Sequence, residues 1–298
     1  MGIVGKGSLC DYALTLFERN NMAKNSDDID KRTIRPIIGN GKVKLAQIDT
    51  ESTCGFVGDK SATVAILAKL NAELVELQNV LYAERKRKVL VVLQAMDTGG
   101  KDGAIRDVFS GINPQGLTIT GFKVPTPREL DHDYLWRVHQ CVPGKGEIAV
   151  FNRSHYEDVL ITRVHKWIDA ATVKRRFRQI NDFEAMLTEE GTTILKFFLH
   201  ISKDEQKKRL QDRKDDESKQ WKFNLGDLEE RKRWDEYQGA YQDMLNATSS
   251  PHAPWYIVPA DRKWVRDLYV SSVLVQALIA LKMHYPAPPP GLAKAIIR

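Results

Sequence analysis

Two carboxylates, two glycines and a lysine stand together in the stretch "AMDTGGKDG", residues 95 to 103. Paired Gly99 and Gly100 let backbone N–H groups approach an anion, and Lys101 opens a helix whose N-terminus favours negative charge. The stretch follows the phosphate-binding pattern G-x-x-x-x-G-K-[ST] with two departures. Ala95 stands at the first glycine, and Asp102 replaces the hydroxyl residue that usually meets Mg²⁺. Asp97 and Asp102 can make good that loss, because hard Mg²⁺ takes carboxylate oxygens. The carboxylates then do not repel phosphates, since a metal lies between. General base is the competing role for Asp97, and a first-turn acid satisfying the helix dipole is the competing role for Asp102.

A second constellation lies in "IAVFNRSHYEDVL", residues 148 to 160. Asn152 ends a strand where P-loop kinases often carry a Mg²⁺-orienting Asp; its neutral amide reaches a metal only through water. Arg153 follows at the carboxyl edge of the sheet, where α/β ligands gather. Ser154 and Glu157 have the S-x-x-E spacing of a capping box. Glu157 therefore has two readings, a helix start or an acid facing the acceptor.

These residues need a scaffold, and the hydrophobic pattern supplies one. Leu67, Leu70, Leu74, Leu77 and Leu81 recur at helical spacing within Ser61 to Lys86. Five β-branched or aromatic runs follow: Val89 to Leu93, Leu117 to Phe122, Ile148 to Phe151, Ile194 to Ile201 and Trp255 to Ala260. Runs without clean alternation belong to a parallel sheet covered on both faces. The fold class is α/β, a P-loop kinase-like three-layer α/β/α sandwich with a five-stranded parallel sheet and a helical lid. The lid is the charged stretch of about residues 203–248, an excursion between the fourth and fifth strands. It interrupts a phosphotransferase domain of residues 61–286, preceded by an irregular arm (1–60) and followed by a proline-rich tail (287–298).

The chain has 298 residues, a formal charge of +6 and a pI near 9.0, a balance that favours polyanionic partners. Cys10, Cys54 and Cys141 form neither a metal pattern nor a disulfide framework. The N-terminus lacks a continuous apolar core, and Val270 to Leu281 is too short and polar to span a bilayer. A cytoplasmic protein with no membrane partner is the expectation.

With its motifs in this order, the sequence resembles the polyphosphate kinase 2 family over roughly residues 45 to 286. The family loop D-x-x-G-K-[DG]-G is matched by Asp97, Gly100, Lys101, Asp102 and Gly103. Its second motif, [DN]-R-S-x-Y-[NE], is matched by Asn152, Arg153, Ser154, Tyr156 and Glu157. A lid pattern Q-x-x-R-x-x-x-R with a later W-K is matched by Gln206, Arg209, Arg213, Trp221 and Lys222. The resemblance implies a Mg²⁺-dependent nucleotide kinase that transfers phosphoryl groups between inorganic polyphosphate and AMP, ADP or ATP, assembled as a homodimer or homotetramer. "NRSHYED" resembles the subgroup that phosphorylates both AMP and ADP.

On that implication Asp97, Lys101, Arg153 and Arg213 are catalytic, and Asp97 and Asp102 hold the metal. Gly99, Gly100, Lys101, Lys123, Lys196, Arg209, Arg213 and Lys222 bind polyphosphate, and Asn152, Arg153 and Glu157 bind the nucleotide. Arg209 and Arg213, four apart on one helical face, are expected to close over the phosphate chain. Two rivals remain at this level. One is a nucleoside monophosphate kinase that uses ATP as donor. The other is a non-catalytic basic P-loop protein that binds nucleic acid and exposes stacking aromatics. Trp221, Phe223 and Trp234 could supply these, although lid packing is their expected role, so nucleic acid is the disfavoured partner.

Overall fold

The computed structural model describes residues 37–39 and 41–297. Most of the expected N-terminal arm and Cys10 therefore lie outside the described residues. The described part of that arm is not loose. Val43, Leu45, Cys54 and Phe56 are buried in the core, and Asn246 clasps the Val43 backbone, accepting from its N–H and donating to its carbonyl.

All five expected strands form, flanked by one more. In chain order the strands are β1 (Ile37–Ile38), β2 (Lys88–Ala95), β3 (Leu117–Gly121), β4 (Ile148–Asn152), β5 (Thr192–His200) and β6 (Trp255–Pro259). The sheet order is β1-β6-β5-β2-β4-β3. The five long strands run parallel, while β1 adds an antiparallel edge through Ile37 opposite Ile257 and Ile38 opposite Tyr256. Two residues are too few to leave a period in the sequence, which is why this edge strand was not expected. β2 is buried from Val89 through Ala95; a strand covered on both faces reads as a continuous apolar run. Ala95 ends that strand opposite Leu199 and keeps a negative φ, so Ala serves there without strain.

The principal helices are α1 (Lys60–Glu84), α2 (Lys101–Val108), α3 (Ala170–Glu189), α4 (Lys203–Asp215), α5 (Leu225–Lys232), α6 (Trp234–Thr248) and α7 (Lys263–Ala280). Asp59 caps α1 by accepting from the Ala62 N–H at 2.9 Å, and Arg85 ends it at φ 52°. α1 and α2 pack with α7 on one face of the sheet; α3 and α6 pack together on the other. That completes three layers. Only α4, α5 and the short helix Glu217–Gln220 between them form the excursion. α6, placed within the lid by sequence, buries Trp234, Tyr237, Tyr241, Met244 and Leu245 and belongs to the body.

Lys196 corrects one expectation. It was placed on the polyphosphate line, but it is fully buried in mid-β5. Its Nζ donates to Glu184 Oε2 (2.5 Å), Thr248 O (2.7 Å) and Tyr156 Oη (2.8 Å). An ammonium has three protons, and all are taken. Glu184 Oε1 accepts in turn from Tyr156 Oη at 2.7 Å and lies 3.3 Å from His155 Nε2. Removing one member of such a pair strands a buried charge. Lys196→Ala should therefore cost about 3–5 kcal/mol of unfolding free energy in urea titration. A loss of about 1 kcal/mol or less, as for an exposed lysine, would contradict the core assignment.

Candidate active site

Two adjacent parallel strands, β2 and β4, deliver their carboxyl ends to one place. β2 runs into the loop Met96–Gly100, and α2 starts at Lys101. Gly99 has no room for a side chain: a Cβ there would meet Ala95 Cβ at 2.5 Å and Met96 O at 2.7 Å. Gly100 sits at φ 101°, a left-handed geometry that glycine adopts without cost. Thr98 also lies in this region, at φ 60°, and its buried hydroxyl has no hydrogen-bond partner. For a β-branched residue that is a true outlier.

Neighbouring β4 ends at Asn152, and Arg153 turns away at φ 63°, its N–H donating to Leu93 O at 3.1 Å. That turn aims the guanidinium back across the strand ends, where Nη2 meets Asp97 Oδ1 at 2.8 Å. Alongside, Asn152 Nδ2 donates to Asp102 Oδ1 at 2.7 Å. Lys101 is buried, and its Nζ donates to Ala95 O (3.0 Å) and Met96 O (3.5 Å). Burial, then the Arg153 charge, holds its ammonium below the usual lysine range against the pull of Asp97, Glu157 and Asp102.

The capping box expected at Ser154 and Glu157 forms by half. Ser154 does cap the following turn, accepting from the Tyr156 N–H at 3.2 Å. Glu157 does not return the bond to Ser154; a reciprocal capping box forms instead at Thr126 and Glu129. With the Gln94 amide oxygen facing Ser154, Gln94 Nε2 donates to Glu157 Oε1 at 3.0 Å. Burial raises the Glu157 carboxyl, while Arg153 and Lys101 pull it back. It is an acid held in the site.

The lid contributes differently from expectation. Arg209 is buried, and each of its nitrogens donates to protein: Nε to Glu205 (2.7 Å), Nη1 to Thr98 O (3.2 Å), and Nη2 to Ala260 O (2.5 Å) and Asp261 O (3.2 Å). It braces the loop, a role beyond the expected place on the polyphosphate line. Arg213, one turn on, is half-buried and pairs with Asp227 Oδ2 at 3.6 Å. Lys222 is exposed, with Nζ 4.9 Å from the Trp221 ring centroid. Trp221 is 78% exposed, so it does not pack within the lid as expected, whereas Phe223 is half-buried and Trp234 buried. Lys123 lies exposed just after β3, where its carbonyl accepts from Arg137 Nη1 at 2.9 Å.

Two site neighbours escaped sequence reading. Arg266 of α7 is buried beneath the loop, donates to Gly100 O at 3.1 Å and pairs with Asp267 at 2.7 Å. An Arg-Asp pair inside an otherwise apolar helical stretch was its available signal. Asp227 of α5 reaches the site from the lid. Burial and the nearby Asp97 push its carboxyl up to about 6, against Arg213, Arg153 and Lys101. In a run of mixed charges it carried no signal.

As to metal, Arg153 and Asn152 engage Oδ1 of Asp97 and Asp102, leaving Oδ2 of each as a hard oxygen donor. Among the described residues no three His, Cys, Asp or Glu side chains surround one point. Mg²⁺ is commonly held by one or two carboxylates together with substrate phosphates, so this donor set fits it.

A sequence profile described as Polyphosphate kinase 2 matches residues 58–286. The chain belongs to the polyphosphate kinase 2 family. It is 54% identical over 257 residues to an AMP/ADP-polyphosphate phosphotransferase of Meiothermus ruber, covering 86% of this chain and 96% of that protein. An ADP-polyphosphate phosphotransferase of Rhodopseudomonas palustris is 47% identical over 237 residues, 76% of this chain and 82% of that one. The crystal structure of polyphosphate kinase 2 from Arthrobacter aurescens TC1 superposes with a TM-score of 0.84 at 47% identity, covering 91% and 95% of the two chains. Among the described residues no helix is long and apolar enough to cross a membrane.

The raised Asp227 carboxyl has a testable sign. Its folded pKa exceeds its unfolded value, so its contribution to stability is full below about pH 4 and fades as pH rises through about 6. In metal-free buffer Asp227→Asn should gain thermal stability relative to wild type between pH 4 and pH 7.5. A gap that stays constant with pH would contradict this placement of Asp227.

Proposed function

We propose that this chain transfers phosphoryl groups from inorganic polyphosphate to AMP and to ADP, reversibly, with Mg²⁺. The observation that carries the reading is the meeting of Asp97, Lys101, Arg153 and Glu157 at the carboxyl edge of β2 and β4, on family motifs. The names of the two relatives support the substrates. Assembly as a homodimer or homotetramer and a cytoplasmic setting are part of the proposal on the same likeness.

In the forward reaction a nucleotide phosphate oxygen attacks the terminal phosphorus of polyphosphate. The bond to the next bridging oxygen breaks, and the chain leaves one phosphate shorter. No general base is required, since a nucleotide phosphate is already largely ionised near neutral pH, its second pKa being about 6. Catalysis is then mostly positioning and charge neutralisation. Gly99, Gly100 and the start of α2 present N–H groups to phosphate. Lys101 supplies a buried cation whose ammonium is favoured as phosphate charge arrives. Arg153 spans donor and acceptor sides, and Arg213 closes from the lid as a fork suited to phosphate oxygens. Glu157, with Asn152 beside it, faces the acceptor nucleotide. Mg²⁺, held by Asp97 with support from Asp102, would neutralise phosphate charge there. Lys123 and Lys222 extend the cationic path at the surface.

The test is separation of nucleotides after incubation with AMP, Mg²⁺ and polyphosphate. Wild type should form ADP and then ATP, and Lys101→Ala should lower the rate by about 10²–10³. If ATP but not polyphosphate serves as donor, the monophosphate kinase reading takes over.

Glu157→Gln offers a finer check. The substitution retains the shape of the side chain and removes its charge. Turnover of AMP should change relative to ADP, with thermal stability within about 2 °C of wild type. Equal loss on both nucleotides together with a lower Tm would assign Glu157 a structural role.

A further inference from the structure

The turn that sets the loop is the residue pattern Met96-Asp97-Thr98-Gly99, closed by the Gly99 N–H donating to Met96 O at 2.9 Å. Its third residue, Thr98, has φ 60°, while its second, Asp97, stays out of the positive region. These are the marks of a type II turn, which normally places Gly or Asn third. Threonine favours the type I alternative, and the two differ by a flip of the central peptide, between Asp97 and Thr98. The carbonyl of that peptide is the Asp97 oxygen. Gln206, buried at the base of the lid on α4, donates to it through Nε2 at 2.9 Å. Because a trans peptide points its C=O and N–H in opposite directions, this bond also fixes where the Thr98 N–H points. Arg209 secures the next carbonyl, that of Thr98, at 3.2 Å.

The amide of Gln206 is itself oriented from the lid. Its Oε1 accepts from Arg231 Nη1 at 2.9 Å, and the same nitrogen donates to Lys203 O at 2.7 Å. Arg231 belongs to α5, the helix that also carries Asp227. A continuous path of hydrogen bonds thus runs from α5 through Gln206 to one peptide of the loop.

We infer that Gln206 is a positioning residue that latches the Asp97–Thr98 peptide in its flipped, phosphate-accepting orientation, and that Arg231 makes this latch depend on the position of the lid. The latch holds a strained residue in place, which local structure must over-determine. The inference rests on the phosphoryl-transfer reading for its kinetic consequence only.

A double-mutant cycle tests it. Gln206→Met keeps length and bulk and removes both hydrogen bonds. In the wild-type background it should lower kcat about tenfold with a smaller change in KM. In a Thr98→Gly background, where a positive φ is free of strain, the same substitution should cost about twofold or less. Thr98→Gly alone provides the reference rate. Equal losses in both backgrounds would overturn the latch, since a purely structural role of Gln206 would not be rescued by glycine. Arg231→Met, at a half-buried position, serves if Gln206→Met fails to fold, with the same dependence on background expected. Amide hydrogen exchange of residues 97–101 reads the latch without any reaction. Exchange should quicken in Gln206→Met and Arg231→Met and be much less sensitive to either in the Thr98→Gly background. Unchanged exchange in the wild-type background would also overturn the inference. Quickened exchange in a protein that does not use polyphosphate would leave the latch standing and discard the reaction.

Discussion

The ion pair between Arg153 and Asp97 is the constraint on which the rest of the site depends. It joins the ends of two adjacent parallel strands, β4 and β2, at 2.8 Å. It also requires a left-handed backbone at Arg153, a geometry that costs energy at any residue but glycine. A parallel sheet gathers every carboxyl end on one edge, but it does not say which side chains cross between them. Arg153 does this crossing. Its charge lies close enough to Lys101 to help hold that ammonium down, and close enough to Glu157 to oppose the effect of burial there. Four charges of mixed sign thereby stand in one small volume, where each limits where the others can go.

The lid completes the arrangement from above, and its two arginines divide the work. Arg209 is spent on carbonyls of the loop and of the segment after β6, so its helix is fastened to the sheet edge. That fastening leaves Arg213, one turn further out, at the mouth of the site beside Asp227. The four-residue spacing seen in the sequence is therefore a root, Arg209, and a tip, Arg213. Arg266 performs a similar bracing function from beneath, against Gly100 and close to Gly103.

What was legible in the sequence follows from what is local. The five parallel strands announced themselves because burial on both faces forces continuous apolar runs. The loop did so because its glycines and lysine must be consecutive to work. What escaped depends on partners distant in the chain. Lys196 looks like any strand-end cation until Glu184 and Thr248, 12 and 52 residues away, close over it. The bracing role of Arg209 was not legible because most of its acceptors are backbone carbonyls, which have no sequence signature. Asp227 is one acid among many, and only the folded lid brings it toward Asp97. The S-x-x-E spacing at Ser154 was half informative, since Ser154 caps the turn and no bond returns to it from Glu157.

The central claim is that Asp97 and Arg153 act as one unit in phosphoryl transfer. The most direct measurement is kcat with ADP and polyphosphate at saturating Mg²⁺ for Asp97→Asn, Arg153→Gln and the double variant. Each single change should lower kcat by about 10²-fold or more, and the double variant should be little worse than the poorer single, as residues of one unit behave. Losses that multiply across the two sites would show independent roles and contradict the account.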